Sequence, residues 1–275
     1  MSNDYVQGEL IYYAKRLSKD FKNLELIPLS DVHYGNHLHS PKHFKRTIDY
    51  IKDHDNCFTF LNGDLCECAI KASKGDVYQQ KISPQSQRDD MVDFLMPIKH
   101  KILGMTIGNH EARILNDTSI DICKDIAKAL DVPYRPEGML IKIMFGDNNK
   151  GTTDRPYTYW GYFTHGYGGA RTTGAKNTKV ERTSTFIHAD FYVMSHDHVA
   201  NASPVVYLMP DPRVSENDDG HLTGTIRAVR KILVKSNSYV KWGGYSETGG
   251  FSPSDLTTPI IYLSGTGKPE VRALI

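Results

Sequence analysis

Leu24-Glu25-Leu26-Ile27-Pro28-Leu29-Ser30-Asp31-Val32-His33 decides the fold of this chain, because a short apolar run stops abruptly at a carboxylate and an imidazole. A run of that length and composition fits a strand buried on both faces. The same event recurs along the chain. Cys57 to Asn62 leads into Gly63-Asp64-Leu65-Cys66-Glu67, and Ile102 to Ile107 into Gly108-Asn109-His110-Glu111. Tyr157 to Thr164 leads into His165-Gly166, and Phe191 to Met194 into Ser195-His196-Asp197-His198. Open α/β sheets hold ligands at the carboxyl ends of their strands, so these blocks are placed to converge. In Asp31-x-His33 and His196-x-His198 the two side chains lie two residues apart. They share a side in an extended segment and diverge on a helix.

Helical patterns separate the first three runs. Pro41 to His54 carries Phe44, Ile48 and Ile51 after a Ser40-Pro41 start, and Ser86 to Pro97 carries Met91, Val92, Leu95 and Met96. Alternation of strand and helix predicts parallel pairing with right-handed crossovers. A third helix is expected over Thr118 to Leu130, with Thr118 as its cap and Ile122, Ile126, Ala129 and Leu130 as its stripe. Beyond it the chain turns β-rich, with strands expected over Met139 to Phe145, Tyr157 to Thr164, Phe191 to Met194, Val205 to Met209, Thr225 to Val234 and Pro259 to Leu263. Asp211 to Gly220 and Ser246 to Ser254 read as solvent loops from their polar, Gly and Pro content. No boundary divides the chain, so residues 1–275 are read as one domain.

With 39% hydrophobic and 24% charged residues, the composition is that of a globular protein, and no apolar run approaches the roughly 18 residues of a membrane span. The segment Met1 to Asp20 has neither the basic start nor the apolar core of a secretory signal, which leads to the expectation of a cytoplasmic protein. Cys57, Cys66, Cys68 and Cys123 show no paired C-x-x-C spacing. They are expected to be reduced, buried thiols rather than disulfides or zinc ligands. A net charge of +1 gives no global attraction to polyanions or membranes, so any phosphate preference must be local.

The five blocks together resemble the calcineurin-like metallophosphoesterase family, whose pattern runs D-x-H, G-D-x-x-E/D, G-N-H-E/D, H-G and G-H-x-H. The resemblance covers roughly residues 25 to 200, in the family's order, with one departure: Ser195 stands where glycine is usual. It implies an α/β fold, a four-layer αββα sandwich of two mixed β-sheets flanked by helices, with strands in 201–275 completing it. It also implies two divalent metal ions, Asp31, His33 and His198 on one, Asn109, His165 and His196 on the other, and Asp64 between them. Mixed oxygen and imidazole donors without thiolate suit Mn²⁺, Fe²⁺, Zn²⁺ or Co²⁺ over Ca²⁺, and Mn²⁺ is put first. By the same resemblance His110 is a catalytic imidazole that protonates the leaving alkoxide, with Glu67 or Asp31 as its orienting acid. A hydroxide shared by the two ions would attack phosphorus.

The expected activity is metal-dependent phosphoester hydrolysis, with a phosphodiester of a nucleotide or nucleic acid favoured as substrate. Ser30 to Gly35 is similar to the opening block of the family's nuclease branch. The Asp-Arg-Gly of the phosphoprotein phosphatase branch is replaced here by Glu67-Cys68-Ala69. A phosphomonoesterase is the alternative, and a non-catalytic metal-binding scaffold the alternative of another class; protein partners are not indicated. Substrate contacts are sought among Arg113, the basic stretch Gly166 to Thr183 with Arg171, Lys176 and Lys179, and the loop Ala69 to Gln87 with Lys71, Lys74, Tyr78 and Lys81. His37 and His39, just past His33, are further candidates. The aromatic tail residues Tyr239, Trp242, Tyr245 and Phe251 either finish a sheet or face a partner.

Overall fold

The protein was analysed as a computed structural model that describes residues 11–71, 73, 77–148 and 155–275. The readings of residues 1–10 and of Lys74 lie outside these. In chain order the elements are β1 (Tyr13–Arg16), β2 (Asn23–Leu29), α1 (Pro41–Asp53), β3 (Cys57–Asn62), α2 (Pro84–Leu95), β4 (Ile102–Thr106), α3 (Asn109–Thr118), α4 (Ile122–Leu130) and β5 (Met139–Phe145). They continue as β6 (Tyr157–Thr164), α5 (Thr173–Ser184), β7 (Phe191–Met194), β8 (Asn201–Glu216), β9 (Leu222–Lys235), α6 (Tyr245–Thr248), β10 (Ile260–Ser264) and β11 (Val271–Leu274).

These strands make two mixed sheets. One runs β11-β10-β2-β3-β4, with β2, β3 and β4 parallel and β10 antiparallel to β2. The other runs β1-β5-β6-β7-β9-β8, with β6, β7 and β9 parallel. Each sheet is closed at one edge by strands from the last 75 residues, so the C-terminal quarter is built into both layers. Between the sheets lies an apolar layer in which Leu26, Phe58 and Phe60 face Ile141, Phe163 and Phe191. Phe60 stacks on Phe163 at 4.1 Å between ring centroids. Burial of one such ring stabilises by about 1.5–3 kcal/mol. The outer face of the first sheet, Ile27, Leu29, Leu61 and Met105, packs on α1, α2 and α4. The outer face of the second, Tyr192, Met194 and Leu233, packs on Val180 of α5. The layers are therefore helix, sheet, sheet, helix.

Pro41 at the first turn and the spacing of Phe44 and Ile51 produce α1, which buries that stripe together with His43 and Thr47. His43 stacks on Tyr239 at 4.6 Å, accepts from Arg46 at Nδ1 (3.0 Å) and meets Thr258 Oγ1 with Nε2 (3.1 Å). Burial, and then Arg46, push its pKa from 6.5 down to about 4. The unfolded chain takes up this proton at about 6.5 and the folded one only near 4, so the contribution of His43 is complete above about pH 6.5 and is lost as pH falls towards 4. Urea unfolding from pH 4 to 7.5 should show the gap in stability between the parent and His43→Asn narrowing at the acid end. A gap independent of pH would refute this.

Several elements differ from the sequence reading. Thr118 does not cap the third helix: it closes α3, its hydroxyl bonding to the Ile114 carbonyl, while Asp121 caps α4 by accepting from Lys124 N at 2.9 Å. The basic stretch Gly166 to Thr183, expected as a loop, is one only as far as Thr172, because α5 begins at Thr173 after Thr172 accepts from Ala175 N. Asp211 to Gly220 is mostly strand, carrying β8 out to Glu216 beyond a register shift at Pro210 and Val214. That outer ribbon leaves Val206, Leu208 and Ile226 exposed. All four cysteines are free and buried. No helix among the described residues is long and apolar enough to cross a membrane.

Candidate metal centre and cleft

Strand ends bring the blocks together. Asp31 follows β2, Asp64 follows β3, Asn109 opens α3 after β4, His165 follows β6, and His196 and His198 follow β7. The ends of β3 and β4 touch so closely that a Cβ on Gly108 would stand 2.0 Å from Asp64 N, and one on Gly63 2.5 Å from Gly108 N. Glycine is needed at both positions. The expectation of an extended D-x-H and H-x-H does not hold. Asp31, His33, Asp64, His196 and His198 all have left-handed backbones, with φ between 48° and 73°. Each such residue costs roughly 1–3 kcal/mol, which the surrounding contacts must offset.

The side chains converge nonetheless. His33 Nε2 lies 3.1 Å from His198 Nε2, and His198 Nε2 lies 3.2 Å from Asp31 Oδ1. His165 Nε2 lies 3.1 Å from Asn109 Oδ1 and 3.3 Å from Asp64 Oδ2, and His196 Nδ1 lies 2.7 Å from the same Asn109 oxygen. Asp64 Oδ2 also lies 3.8 Å from His33 Nε2, which puts it between the two groups. Its other oxygen accepts from His110 N at 2.8 Å, so a single oxygen of Asp64 faces both sides.

The far ring nitrogens of three of these imidazoles are engaged. His165 Nδ1 bonds to the Asn62 carbonyl (2.8 Å), His33 Nδ1 meets the Glu67 carboxylate (3.1 Å) and His196 Nε2 meets the Gly168 carbonyl. With protons on those nitrogens, each neutral imidazole would turn an inward lone pair towards oxygen lone pairs, a repulsive arrangement unless positive charge, from a proton or a cation, sits between them. Asp31 Oδ1 is buried and has no hydrogen-bond partner among the described residues. Burial opposes charge on Asp31, yet His198 and His165 hold its carboxyl at about 2. Burial likewise opposes charge on His165, but Asp64 and Asp31 raise it to about 10. The donor set thus calls for cations, and groups drawn from Asp31, His33, His198, Asp64, His110, His165 and His196 lie close enough to hold metal ions. No thiolate takes part.

His110 sits beside this cluster, its ring 4.3 Å from that of His33. Its Nδ1 donates to the Glu67 carbonyl at 2.9 Å and lies 3.5 Å from the Glu67 carboxylate, so Glu67 is the acid beside it rather than Asp31. Desolvation pulls the His110 pKa down, but Asp64 and Glu67 outweigh it and the net shift is upward. Asn36 donates to Glu67 as well, at 3.1 Å.

Three supporting groups escaped the sequence reading. Glu111, fully buried, accepts from the backbone N–H of Asp64, Cys66 and Gly108, tying the end of β3 to the start of α3. Burial, and then Asp64, raise it to about 7. Its place three residues after Gly108 is capping-box spacing, a signal present in the sequence. Ser195, the departure from the family pattern, accepts from Asn62 at 2.5 Å and meets Ser236 at 2.7 Å, which joins the two sheets beneath the cluster. Asp197 binds Lys179 and Lys235, each at 2.6 Å. Burial holds the Lys235 ammonium at about 8 despite that carboxylate. Asp197→Ala would strand two buried ammonium groups and is expected to cost about 3–5 kcal/mol in urea unfolding. A loss below about 1 kcal/mol would show that the trio is not structural.

A cavity of about 1010 Å³ opens over the cluster. Of the sought substrate contacts, Arg113, Lys176 and His37 line it, and Arg171 does not. Arg113 is held by Ser73 Oγ at 2.7 Å. Lys176 is 5% exposed and donates to the Asp197 carbonyl, and Lys179 is spent on Asp197 and the Tyr167 carbonyl. Arg171 donates to the Gly249 carbonyl and lies over the Phe251 ring. Basic charge in this stretch therefore braces the protein. His39 turns away to the Val32 carbonyl. Among the described residues of the loop after Glu67, the wall takes Ser73, Gln79 and Gln80 rather than Lys71 or Lys81.

No protein-family model matches the chain, and no curated protein does. Among solved structures it is similar to vacuolar protein sorting 29 of Cryptosporidium parvum, over 92% of this chain and 98% of that one, at 14% identity and a TM-score of 0.42. A predicted phosphoesterase from Streptococcus pneumoniae TIGR4 aligns over 92% and 90%, at 14% identity and a TM-score of 0.37. The Entamoeba histolytica Vps29 complexed with zinc aligns over 91% and 98%, at 9% and 0.40.

Proposed function

We propose that the protein is a metal-dependent phosphoester hydrolase of the calcineurin-like type, acting on phosphodiesters of nucleotides or nucleic acid. The observation that carries this reading is the facing of imidazole, amide and carboxylate atoms across two adjoining gaps on the cavity floor, with Asp64 Oδ2 common to both. Asp31, His33 and His198 would hold one divalent ion, Asn109, His165 and His196 the other, with Asp64 between. Two such ions neutralise charge on the phosphoryl oxygens and make water a nucleophile near neutral pH. Mn²⁺, Fe²⁺, Zn²⁺ and Co²⁺ all suit these donors.

The chain's own residues supply the rest. Glu67 orients His110 through Nδ1 and leaves Nε2 to carry a proton to the leaving oxygen, a task suited to an imidazole whose pKa Asp64 and Glu67 raise against the cost of burial. Arg113, fixed by Ser73, offers a guanidinium to phosphoryl oxygens at the cavity wall. His37 and Lys176 stand further along that wall. Preference for a diester is supported by the likeness of Ser30 to Gly35 to the nuclease branch and by the absence of Asp-Arg-Gly after the second block. Elemental analysis should find close to two transition-metal ions per chain, and methyl p-nitrophenyl phosphate should be hydrolysed faster than p-nitrophenyl phosphate. The reverse order makes the protein a monoesterase. Absence of both metal and turnover makes it a scaffold.

A further inference from the structure

The segment from Trp242 to Ser254 walls the same cavity whose floor is the histidine and aspartate cluster. We propose that Trp242 and Tyr245 form a stacking subsite for an unpaired nucleobase, so that the scissile phosphoester belongs to a nucleotide or a single-stranded end; this rests on the hydrolase reading above.

Trp242 and Tyr245 remain 43% and 53% exposed, while Tyr239, a few residues earlier, is 1% exposed and stacked on His43. The tail thus divides into a residue that serves the core and two that serve the cleft. Large rings left open inside a concave site mark a place for an apolar or aromatic ligand. They are also held in place. Trp242 Nε1 donates to the Phe251 carbonyl at 2.7 Å, Phe251 contacts Tyr245 at 6.0 Å between centroids, and the Arg171 guanidinium covers Phe251 at 4.7 Å. Gly243 and Gly244, at φ 144° and 54°, shape the turn that carries Tyr245. A wall fixed in this way loses little entropy when a flat ring docks on it.

The cavity's size, about 1010 Å³, lies at the upper end of the range for drug-sized ligands and far exceeds the needs of a phosphate alone. Stacking on aromatic side chains is how proteins grip unpaired bases, whereas a base within a duplex has both faces covered by its neighbours. Duplex binding would instead draw on a broad basic face. Here net charge is +1, and Lys179 and Arg171 are engaged within the protein.

The test is calorimetric titration, with Mn²⁺ present, of thymidine 5′-monophosphate and of 2-deoxyribose 5-phosphate, in which an anomeric hydroxyl replaces the base. The parent should bind the nucleotide about 5- to 100-fold more tightly than the sugar phosphate. Trp242→Ala should bring the two within about twofold, and Trp242→Phe, which keeps an aromatic face, should retain most of the preference. Tyr245→Ala supplies an independent reading should Trp242→Ala fail to fold. A parent that binds both ligands alike, or an Ala variant with the parent's ratio, overturns the subsite. Hydrolysis of a single-stranded oligothymidylate should likewise exceed that of the same strand in duplex, and equal rates overturn the requirement for an unpaired base. The two readings fail separately. A parent inert towards methyl p-nitrophenyl phosphate but selective for the nucleotide loses the hydrolase assignment and keeps the subsite, and an active but unselective parent does the opposite.

Discussion

If two metal ions are held as proposed, Asp64→Asn is expected to weaken the binding of both and to lower turnover by roughly three orders of magnitude or more. The geometry explains why one atom matters so much. Asp64 Oδ1 accepts from His110 N, a bond an amide oxygen can keep, so the variant should fold. Oδ2 faces His165 at 3.3 Å and His33 at 3.8 Å, and there an amide would place N–H groups where a cation needs an anion. Salt-bridging contacts and the ring nitrogens around it already hold the Asp64 carboxyl well below its usual range against the cost of burial, first through His165 and then His110. Loss of that charge leaves Asp31 as the remaining carboxylate among the seven inferred ligands. Elemental analysis after gel filtration, with kcat on a chromogenic diester, reads both effects. Two ions retained with normal turnover would remove Asp64 from the bridge. Loss of a single ion would make it a ligand of one site alone.

What could be read in the sequence follows from what each segment buries. The bounds of β3, β5, β6 and β7 coincide with the apolar runs that suggested them, because β3 and β7 are buried on both faces and β5 and β6 bury alternate residues fully. The converging blocks were equally legible, since carboxylate, amide and imidazole at successive strand ends have few other uses. Helix α5 was not legible, because its inward face is Lys176, Lys179, Val180, Thr183 and Ser184, packed around buried Asp197 rather than on an apolar surface. Periodicity records apolar burial and is blind to a buried ion pair. Helix α3 was hidden similarly, its innermost residue being Glu111. The outer halves of β8 and β9 are exposed on both faces, so their composition resembles a loop. Trp242 and Tyr245 have side chains that suit a sheet, a partner surface or a cleft equally well. Only their position over the cluster separates these roles.

His110→Ala should have an effect of a different kind: metal loading is retained while kcat falls roughly 10²- to 10⁴-fold. Retention is expected because all seven inferred ligands remain in the variant, the His110 ring being turned to Glu67 through Nδ1. A residue that protonates the leaving oxygen matters most when that oxygen is strongly basic. The deficit should therefore be greatest for alkyl esters and should shrink steadily as the leaving group becomes more acidic, towards dinitrophenyl esters that depart without a proton. Glu67→Gln, which keeps the carbonyl contact to Nδ1 but removes the carboxylate 3.5 Å away, should show the same trend with a smaller amplitude. If His110 instead stabilised charge on the phosphoryl oxygens, the loss would be equal across the series, because that charge develops whatever the leaving group. A plot of log kcat against leaving-group pKa for parent and variant decides between the two: a steeper slope in His110→Ala assigns the proton, and parallel lines withdraw it.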